Sequence, residues 1–437
     1  MHPAALKISL LSAVVLSGAL CSAPALDWRE YSTGQSKALY GVTYGNGRYL
    51  AVGSGGAVVQ SQDGASWLQL TSFTDLNLRG VAFGANAFVA ISGFGNGDIW
   101  RSADGSSWTK ITSPASTVFN RLRFINGRFL VVGQSQAIIS SQDGVNWQVW
   151  SEKPGNDAFL YDIAYGNGIY AAVGKRMDGN AFVMRSADGG QTWTETALNL
   201  QGDLKGVAWG NGLFVAAGGN EAGEGALLTS ADGLTWNLAS STLEYIPEGV
   251  IYDSGLFAVF SSNILLSEDG MQWTAQSTPI KPFYAMCRAQ GKFTAVGYRG
   301  AALQSSLASS GPGIYANGFE NSIELSPSDT LDISVAMNAG QYAGINADWW
   351  VLALPGSGNR WYGLGSSGQW YDFAAGDLPA CRPALQGPLG DVTGAVTVLP
   401  AATLGSGVYR FYFMVDQMDG FINYPNALVG TVTVTVN

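Results

Sequence analysis

A short motif of the form Ser-x-Asp-Gly-x-x-Trp occurs six times in the first 273 residues, with one extra residue in the fourth copy. The tryptophans of successive copies are 41, 39, 46, 43 and 37 residues apart. This interval is typical of a four-stranded antiparallel sheet, so the spacing predicts a β-propeller with such sheets as blades around a central tunnel. The copies, called Asp-Gly motifs below, cover residues 61–67, 102–108, 141–147, 186–193, 230–236 and 267–273.

The chemistry of the motif indicates a structural role. Asp-Gly between two apolar runs is a hairpin signal, because Gly accepts a positive φ and the Asp carboxylate accepts hydrogen bonds from nearby backbone amides. The Trp is expected to pack between neighbouring blades. Six equivalent carboxylates in equivalent turns cannot converge on one substrate. We therefore interpret them as structural and not catalytic: Asp63, Asp104, Asp143, Asp188, Asp232 and Asp269.

The fourth copy reads Ser-Ala-Asp-Gly-Gly-Gln-Thr-Trp over residues 186–193. It resembles the Asp-box, or bacterial neuraminidase repeat, of sialidases, sortilin-type receptors and the photosystem II assembly factor family. The other five copies match a version that is one residue shorter. The resemblance covers residues 27–306 and implies a repeat propeller whose Asp-boxes lie away from the binding face. It implies this architecture more than any activity.

The N-terminus has the pattern of a secretory signal. Lys7 precedes an apolar run over residues 8–20, and residues 23–25 read Ala-Pro-Ala, which fits a cleavage site. We predict that residues 1–25 are removed and that the protein is secreted to an extracellular or periplasmic location. A lipoprotein anchored through Cys21 is a less favoured alternative, because a leucine precedes this cysteine where such signals have a small residue. No later stretch is long enough for stable membrane insertion.

Charge and composition exclude several classes of function. The formal net charge is −10, and an acidic chain without a basic run is a poor partner for nucleic acid. Cleavage would remove His2, the only histidine, and with it Ser-His-Asp catalysis, Cys-His catalysis and every His-based metal site. We therefore expect no cofactor and no metal. The remaining cysteines, Cys287 and Cys381, form either a disulfide or two separate buried thiols, and the second is favoured.

Both ends of the repeat array are incomplete. Residues 26–32 resemble the end of a repeat, since Trp28 lies 39 residues before Trp67, while the last repeat at residues 284–306 lacks the Asp-Gly motif. Pairing the two would close the ring and remove exposed sheet edges. We predict an all-β fold in which residues 26–306 form a seven-bladed β-propeller closed by the N-terminal strand.

The remainder of the chain has a different sequence pattern, without the Asp-Gly motif. Residues 307–313 form a predicted linker, and residues 314–437 contain about seven alternating segments that predict a small β-sandwich. Asp416, Asp419 and Asn423 loosely resemble a calcium loop, but a plain Asp-Gly turn is favoured. Six aromatic side chains form either a sugar-stacking surface or, as we favour, mainly core: Trp349, Trp350, Trp361, Tyr362, Trp370 and Tyr371.

Strand alternation assigns the loops of each blade to two faces. The turns between strands one and two and between strands three and four share one face, and the loops between strands two and three lie on the other. This second face, called the variable-loop face, carries predicted extended loops at residues 93–98, 174–180 and 218–225. Variable loops on a rigid scaffold are the usual place for binding.

One position near the start of each innermost strand is predicted to ring the tunnel mouth on the variable-loop face. Three tyrosines with an arginine and a lysine combine stacking with recognition of anions or hydroxyls, which predicts a ligand site; a plain solvated funnel is the alternative. The seven residues are Tyr40, Arg79, Asn120, Tyr161, Lys205, Glu248 and Tyr284. Candidates for extending this site are Asp162, Glu221, Glu224, Arg176 and Arg299.

Enzyme and binding protein are the two classes of function to compare. A sialidase needs three arginines on the substrate carboxylate, but the matching positions supply only Arg79, with Arg121 and Arg123 close by. A two-carboxylate glycosidase would have to use Asp162 and Glu248, which lie two blades apart. The sequence therefore favours an exported, non-enzymatic protein that binds a glycan or protein partner. A sialidase-like or other glycoside hydrolase is the alternative.

Overall fold

A computed structural model shows an all-β chain in which the described residues form no α-helix. It describes residues 26–93, 97–153, 155, 158–253, 255–279, 281–306, 311–317, 321–327, 329–338, 346–356, 360–367, 369–374, 383–388, 392–417 and 428–437. The predicted signal segment, Cys381, Asp419 and Asn423 lie outside these residues, so the predictions made for them stay predictions.

Short antiparallel strands make up the first two thirds of the chain, and we number the repeats 1 to 7. The N-terminal strand is β1 (Trp28–Ser32). Repeat 1 has β2 (Leu39–Gly45), β3 (Arg48–Gly53), β4 (Val58–Ser61) and β5 (Trp67–Gln69). Repeat 2 has β6 (Leu78–Gly84), β7 (Ala87–Ser92), β8 (Ile99–Ser102) and β9 (Thr109–Ile111). Repeat 3 has β10 (Phe119–Ile125), β11 (Arg128–Gly133), β12 (Ile138–Ser141) and β13 (Gln148–Ser151).

Repeats 4 and 5 share one strand and so form a single seven-stranded sheet. Its strands are β14 (Phe159–Gly166), β15 (Ile169–Lys175), β16 (Asn180–Ser186), the shared β17 (Thr194–Gly210), β18 (Leu213–Asn220), β19 (Gly225–Ser230) and β20 (Asn237–Leu243). Repeat 6 has β21 (Gly249–Asp253), β22 (Leu256–Phe260), β23 (Ile264–Ser267) and β24 (Thr274–Ala275). Repeat 7 has β25 (Phe283–Ala289), β26 (Lys292–Gly297) and β27 (Ala301–Ser305).

The N-terminal strand completes repeat 7. β1 pairs antiparallel with β27, with Trp28 opposite Ser305, which gives a four-stranded sheet in the order β1-β27-β26-β25. The Trp28 ring lies 6.2 Å from the Phe293 ring, and its indole N–H donates to the side chain of Gln276 at 3.3 Å. The predicted pairing of the two incomplete ends is thus present.

Apolar cores lie between consecutive repeats. One core is shared by repeats 1 and 2, another by repeats 2 and 3, and so on to repeats 6 and 7. A further core joins the last repeat to the first, because Leu39 and Val42 pack with Ala285 and Val296. The sheets of residues 28–305 are therefore connected in a closed ring by burial of apolar side chains.

Aromatic side chains at the ends of the innermost strands determine how closely the repeats approach. Each ring lies 4.5–4.8 Å from an aromatic ring of the second strand in its own repeat. Several also cover a glycine of the preceding repeat: a Cβ added to Gly84 would lie 2.2 Å from the Phe124 ring. We call these rings the aromatic collar: Tyr44, Phe83, Phe124, Tyr165, Trp209 and Tyr252.

The Asp-Gly motifs form self-contained hydrogen-bonded turns. In the first copy, the Ser61 hydroxyl donates to Asp63 Oδ1 at 2.9 Å and accepts from the Gly64 N–H at 2.8 Å. Asp63 Oδ1 also accepts from the Ser66 N–H at 2.8 Å, and the Trp67 indole N–H donates to the Gly64 carbonyl at 2.9 Å. The other five copies repeat the Ser-to-Asp and Gly-to-Ser bonds.

These hydrogen bonds favour the ionised carboxylates. The pKa of all six motif aspartates lies below its ordinary value. For Asp188, the hydroxyl of Thr192, the backbone N–H of Thr192 and the hydroxyl of Ser186 lower the pKa to about 2. The observed role of these carboxylates is therefore to accept hydrogen bonds within their own turns.

Residues 311–436 form two further sheets. The first is three-stranded, with β28 (Gly311–Ala316), β30 (Thr330–Asn338) and β35 (Val392–Thr403). The second contains β29 (Asn321–Leu325), β31 (Asn346–Pro355), β32 (Arg360–Leu364), β33 (Trp370–Ala374), β36 (Gly407–Gln417) and β37 (Leu428–Val436), with β34 (Leu385–Pro388) paired to β31. A single apolar core joins the two sheets through side chains such as Ile333 and Phe413.

Two predictions for this region can be compared with the structure. The predicted linker ends at residue 313, but β28 begins at Gly311, because its backbone pairs with β30. Among the six predicted aromatic residues, Trp349 and Trp350 are buried and Tyr362 is exposed. The burial of these tryptophans agrees with the interpretation of the cluster as mainly core.

We expect deletion of residues 26–32 to lower the free energy of unfolding by about 3 kcal/mol or more, because it removes the β1 ladder and leaves the Trp28 site unfilled. Chemical denaturation of the deletion variant measures this loss. The exposed Arg29→Ala substitution is the control, with an expected change below about 0.5 kcal/mol. Equal stability of the deletion variant and the wild type would contradict closure by β1.

We expect the Asp188→Asn substitution to destabilise the protein at neutral pH and to have little effect on its stability in acid. A carboxylate with a depressed folded-state pKa contributes stability that is complete above its unfolded pKa of about 3.9 and disappears as the pH falls through the folded value. Denaturation of the wild type and the variant at several pH values should show a stability difference that is largest above pH 4 and shrinks toward pH 2. A difference that does not depend on pH would show that the ionised form is not stabilised.

We expect Gly84→Ala to destabilise the protein by about 1–3 kcal/mol, because the added methyl group would overlap the Phe124 ring in the next repeat. In a Phe124→Ala background the same substitution should cost much less, since the overlapping ring is absent. Denaturation of the two single variants and the double variant measures this coupling. Strictly additive losses would rule out the contact as the cause.

Candidate functional site

The structure brings the seven predicted tunnel-mouth side chains together. Tyr40, Arg79, Asn120, Tyr161, Lys205, Glu248 and Tyr284 line one open cavity of about 340 Å³. The cavity also contains Arg121 and Asp203, which the sequence analysis did not assign to the site. We call this cavity, with its nine lining residues, the funnel.

β-Bulges aim the funnel side chains. The pairing of first and second strands shifts register in six repeats, and in each the unpaired residue is a funnel residue. A bulge adds one residue to a strand and turns its side chain away from the regular alternation. The six bulge residues are Tyr40, Arg79, Asn120, Tyr161, Lys205 and Tyr284, while Glu248 directly precedes β21.

The bulge also explains why Arg121 was missed. Strict alternation assigns Asn120 and Arg121 to opposite faces of β10, and the extra residue at Asn120 lets both side chains reach the funnel. Asp203 lies two residues before Lys205 in β17. Residues two positions apart in a strand share a face, so the sequence did contain a signal that Asp203 belongs to the site.

The funnel contains rings and both signs of charge. The Arg79 guanidinium lies 5.2 Å from the centre of the Tyr40 ring, within cation–π range, and the Tyr40 and Tyr284 rings are 5.4 Å apart. Lys205 Nζ lies 2.8 Å from a carboxylate oxygen of Glu248. Such a surface can stack on flat or apolar ligand groups and can hydrogen-bond their polar atoms.

Two arginines from repeat 3 cross the tunnel below the funnel. The Arg121 guanidinium donates to the backbone carbonyls of Lys205 at 3.4 Å and Glu248 at 3.2 Å, which belong to repeats 5 and 6. Arg123 forms a two-pronged contact with Asp162 at 2.9 and 2.6 Å. These side chains form the floor of the funnel.

Asp162 is therefore not a site carboxylate. It is fully buried, accepts hydrogen bonds from Arg123 and from the Val207 N–H, and does not line the funnel. The predicted pair of Asp162 and Glu248 is corrected: the acidic residues that share the funnel are Asp203 and Glu248. Burial raises the pKa of Asp203, and nearby Lys205 and Lys175 oppose this shift.

The other proposed extensions of the site lie outside the funnel lining. Glu221 is 3.5 Å from Lys175, and Arg176 is 3.2 Å from Glu195. Glu224 accepts a hydrogen bond from the Asn220 side chain at 2.8 Å. Arg299 lies over the Tyr298 ring, and neither Arg299 nor Tyr298 lines the funnel.

Two predicted extended loops are shorter in the structure than predicted. β15 and β16 leave only residues 176–179 between them, and β18 and β19 leave only residues 221–224. The backbone of these segments is paired, as in the bond from the Gly202 N–H to the Gly179 carbonyl at 2.8 Å. Since these backbone groups are paired, the short connections are tied to the ends of the strands that flank them. Residues 94–96 of the third predicted loop lie outside the described part of the chain.

Cys287 lies below the funnel in a second cavity of about 240 Å³ along the tunnel. It is a free cysteine, and burial raises the pKa of its thiol above the ordinary value. A buried thiol with a raised pKa is a poor nucleophile. Within the described residues, no three His, Cys, Asp or Glu side chains are grouped as a metal site, and no helix is long and apolar enough to span a bilayer.

Comparisons with known proteins find the fold but no family. No protein-family model and no curated protein matches the chain. Among solved structures, YCF48 bound to a D1 peptide is similar, with a TM-score of 0.52 and 19% identity over 65% of this chain and 97% of that one. Virginiamycin B lyase from Staphylococcus aureus has a TM-score of 0.54 and 12% identity over 64% of this chain and 99% of that one. At these identities the likeness shows a shared β-propeller fold alone.

Proposed function

We propose that the protein is an exported, non-enzymatic binding protein that captures a protein partner in the funnel. In this proposal residues 26–306 form a seven-bladed propeller, residues 314–437 form a β-sandwich, and residues 1–25 are a cleaved signal. The repeats support the blade count, since the sheet of repeats 4 and 5 corresponds to two blades that share β17. The two sheets joined by one core support the sandwich.

The observation that carries the proposal is the convergence of all seven tunnel-mouth residues on one cavity. Three tyrosines, two arginines and a lysine face it, together with Asp203 and Glu248. An open cavity on a rigid scaffold with a few convergent polar groups is the usual form of a binding site. The rings suit side-chain stacking, and the mixed charges suit hydrogen bonding to a polar backbone.

A peptide segment is favoured over a glycan by one comparison. YCF48, which shares the fold, has been solved with a bound D1 peptide. A glycan remains the second candidate partner, because the tyrosine faces can also stack on sugar rings. In a glycoside hydrolase, Asp203 and Glu248 would have to act on that glycan. Glycan binding and glycan hydrolysis are therefore tested in the same experiment as peptide binding.

We expect the Arg79→Ala/Tyr161→Ala variant to lose peptide binding by at least about tenfold, because it removes a cation and a ring from the funnel wall. The test screens the mature protein against peptide and glycan arrays and measures dissociation constants for the strongest ligands. Both side chains are only partly buried, so the thermal midpoint should change little. A fluorogenic sialoside assay is run beside these measurements.

Arg185→Ala is the matched control. The Arg185 guanidinium donates to the backbone carbonyl of Asp232 at 2.8 Å, in the Asp-Gly motif of repeat 5. Arg185 does not line the funnel. This variant should bind like the wild type. Unchanged binding by the double variant would refute a funnel site, and binding restricted to glycans with sialoside turnover would favour the hydrolase alternative.

A further inference from the structure

The rim of the funnel is uneven in height. On repeats 4 and 5, the paired segments 175–180 and 220–225 extend the sheet upward, and we call them the wall. On repeats 1 and 7, the corresponding connections are single 3₁₀ turns, Ser54–Gly56 and Tyr298–Gly300. A ligand that extends beyond the funnel therefore has an open path over repeats 7 and 1.

Rings and cations line this open path. From the rim inward, Arg299 lies over the Tyr298 ring at 5.3 Å, Tyr284 lies 5.4 Å from Tyr40, and Arg79 lies over Tyr40 at 5.2 Å. Burial raises the pKa of Tyr284, and the nearby Tyr40, Glu248 and Tyr298 raise this pKa further. We call the five side chains the ledge: Tyr40, Arg79, Tyr284, Tyr298 and Arg299.

Arg299 occupies a backbone position that favours glycine. Its φ is +52°, and the equivalent turn of repeat 1 has Gly55 with a φ of +53°. A left-handed conformation costs free energy for a residue with a Cβ, and Arg299 is exposed, so burial does not offset that cost. The equivalent turn of repeat 3 has Ser135 with a φ of +58°, so this conformation is a property of the turn, and what distinguishes Arg299 is its guanidinium. The exposed neighbour, Tyr298, is 45% accessible.

Charge distinguishes the ledge from the wall. The ledge contains two arginines and no acidic residue, whereas the wall contains two basic and three acidic residues. Arg121 adds a third guanidinium at the inner end of the ledge, where it is close enough to Arg79 to be repelled by it. In a chain with a net charge of −10, the ledge is therefore a locally cationic strip, and the wall on repeats 4 and 5 is slightly acidic.

We propose that the ledge binds an acidic, extended segment of the partner, which runs over repeats 7 and 1 and enters the funnel beside Arg79. Acidic side chains pair with Arg299 and Arg79, and proline or aromatic rings of the segment stack on the tyrosines. Three rings between two cations match an extended or polyproline-type chain, since its side chains project at regular intervals. This inference rests on the proposed function and adds the partner's charge and path.

The test begins with an array of short random-sequence peptides probed with the mature wild-type protein. Bound peptides should be enriched in Asp and Glu. Labelled copies of the strongest binders are then compared with versions in which Gln replaces each acidic residue, by fluorescence anisotropy. The acidic form should bind at least about tenfold more tightly, and this advantage should shrink as salt rises.

Two ledge variants and one control assign the effect to the ledge. Arg299→Gly introduces the residue that repeat 1 has at this turn, so it removes the guanidinium while relieving backbone strain, and it should weaken the acidic peptide by about tenfold. Lys153→Ala removes an exposed cation that pairs with Glu195, and it should change binding less than about twofold. Tyr298→Ala should weaken acidic and Gln-substituted peptides alike, because it removes stacking and not charge.

The outcomes separate this inference from the proposed function. Peptides that need Arg79 and Tyr161 but show no acidic preference, or that bind Arg299→Gly as well as the wild type, would overturn the ledge and leave the funnel as a binding site. An array without bound peptides would overturn both proposals. An acidic preference lost in Arg299→Gly and retained in Lys153→Ala would support the ledge.

Discussion

The ring depends on how closely neighbouring inner strands can approach. Rings of the aromatic collar cover glycines of the preceding repeat, and a Cβ on Gly45 or Gly166 would lie 2.0 Å from the facing ring. The same rings pack on the second strand of their own repeat. One side chain therefore contributes to the core within a sheet and to the spacing between sheets. The funnel residues can converge because this contact holds their strands close together at the other end of the tunnel.

Much of this fold was predictable because its information is local. Each Asp-Gly motif makes its hydrogen bonds within eight residues or fewer, so its sequence alone indicates a turn. The closure by β1 was also predictable, since an unfinished repeat at each end leaves two strand edges that need partners. The aromatic collar was missed, because it joins residues about forty positions apart and becomes visible only when strands of different repeats are placed side by side.

The sequence predicted which residues line the candidate site better than it predicted the contacts of those residues. Equivalent positions in equivalent strands face the same axis, which is why seven residues could be selected from the repeat pattern. Their partners could not be selected in that way. Asp162 follows a bulge and is buried against Arg123, and the same kind of bulge brings Arg121 into the funnel. The two connections of the wall were predicted as longer loops, because the pairing of their flanking strands extends across two repeats through β17.

The shared strand β17 has a consequence for the order in which the ring comes apart. Its 17 residues run without interruption from the outer edge of repeat 4 to the inner edge of repeat 5, so backbone hydrogen bonds connect these two repeats. Backbone contacts between other neighbouring repeats are fewer: Gln134 forms an isolated bridge with Phe159, and the Phe283 N–H donates to the Ser261 carbonyl at 3.0 Å. Repeat 7 is completed by only the five residues of β1. We therefore expect a force or a denaturant that opens the ring to separate β1 from β27 before it separates repeat 4 from repeat 5.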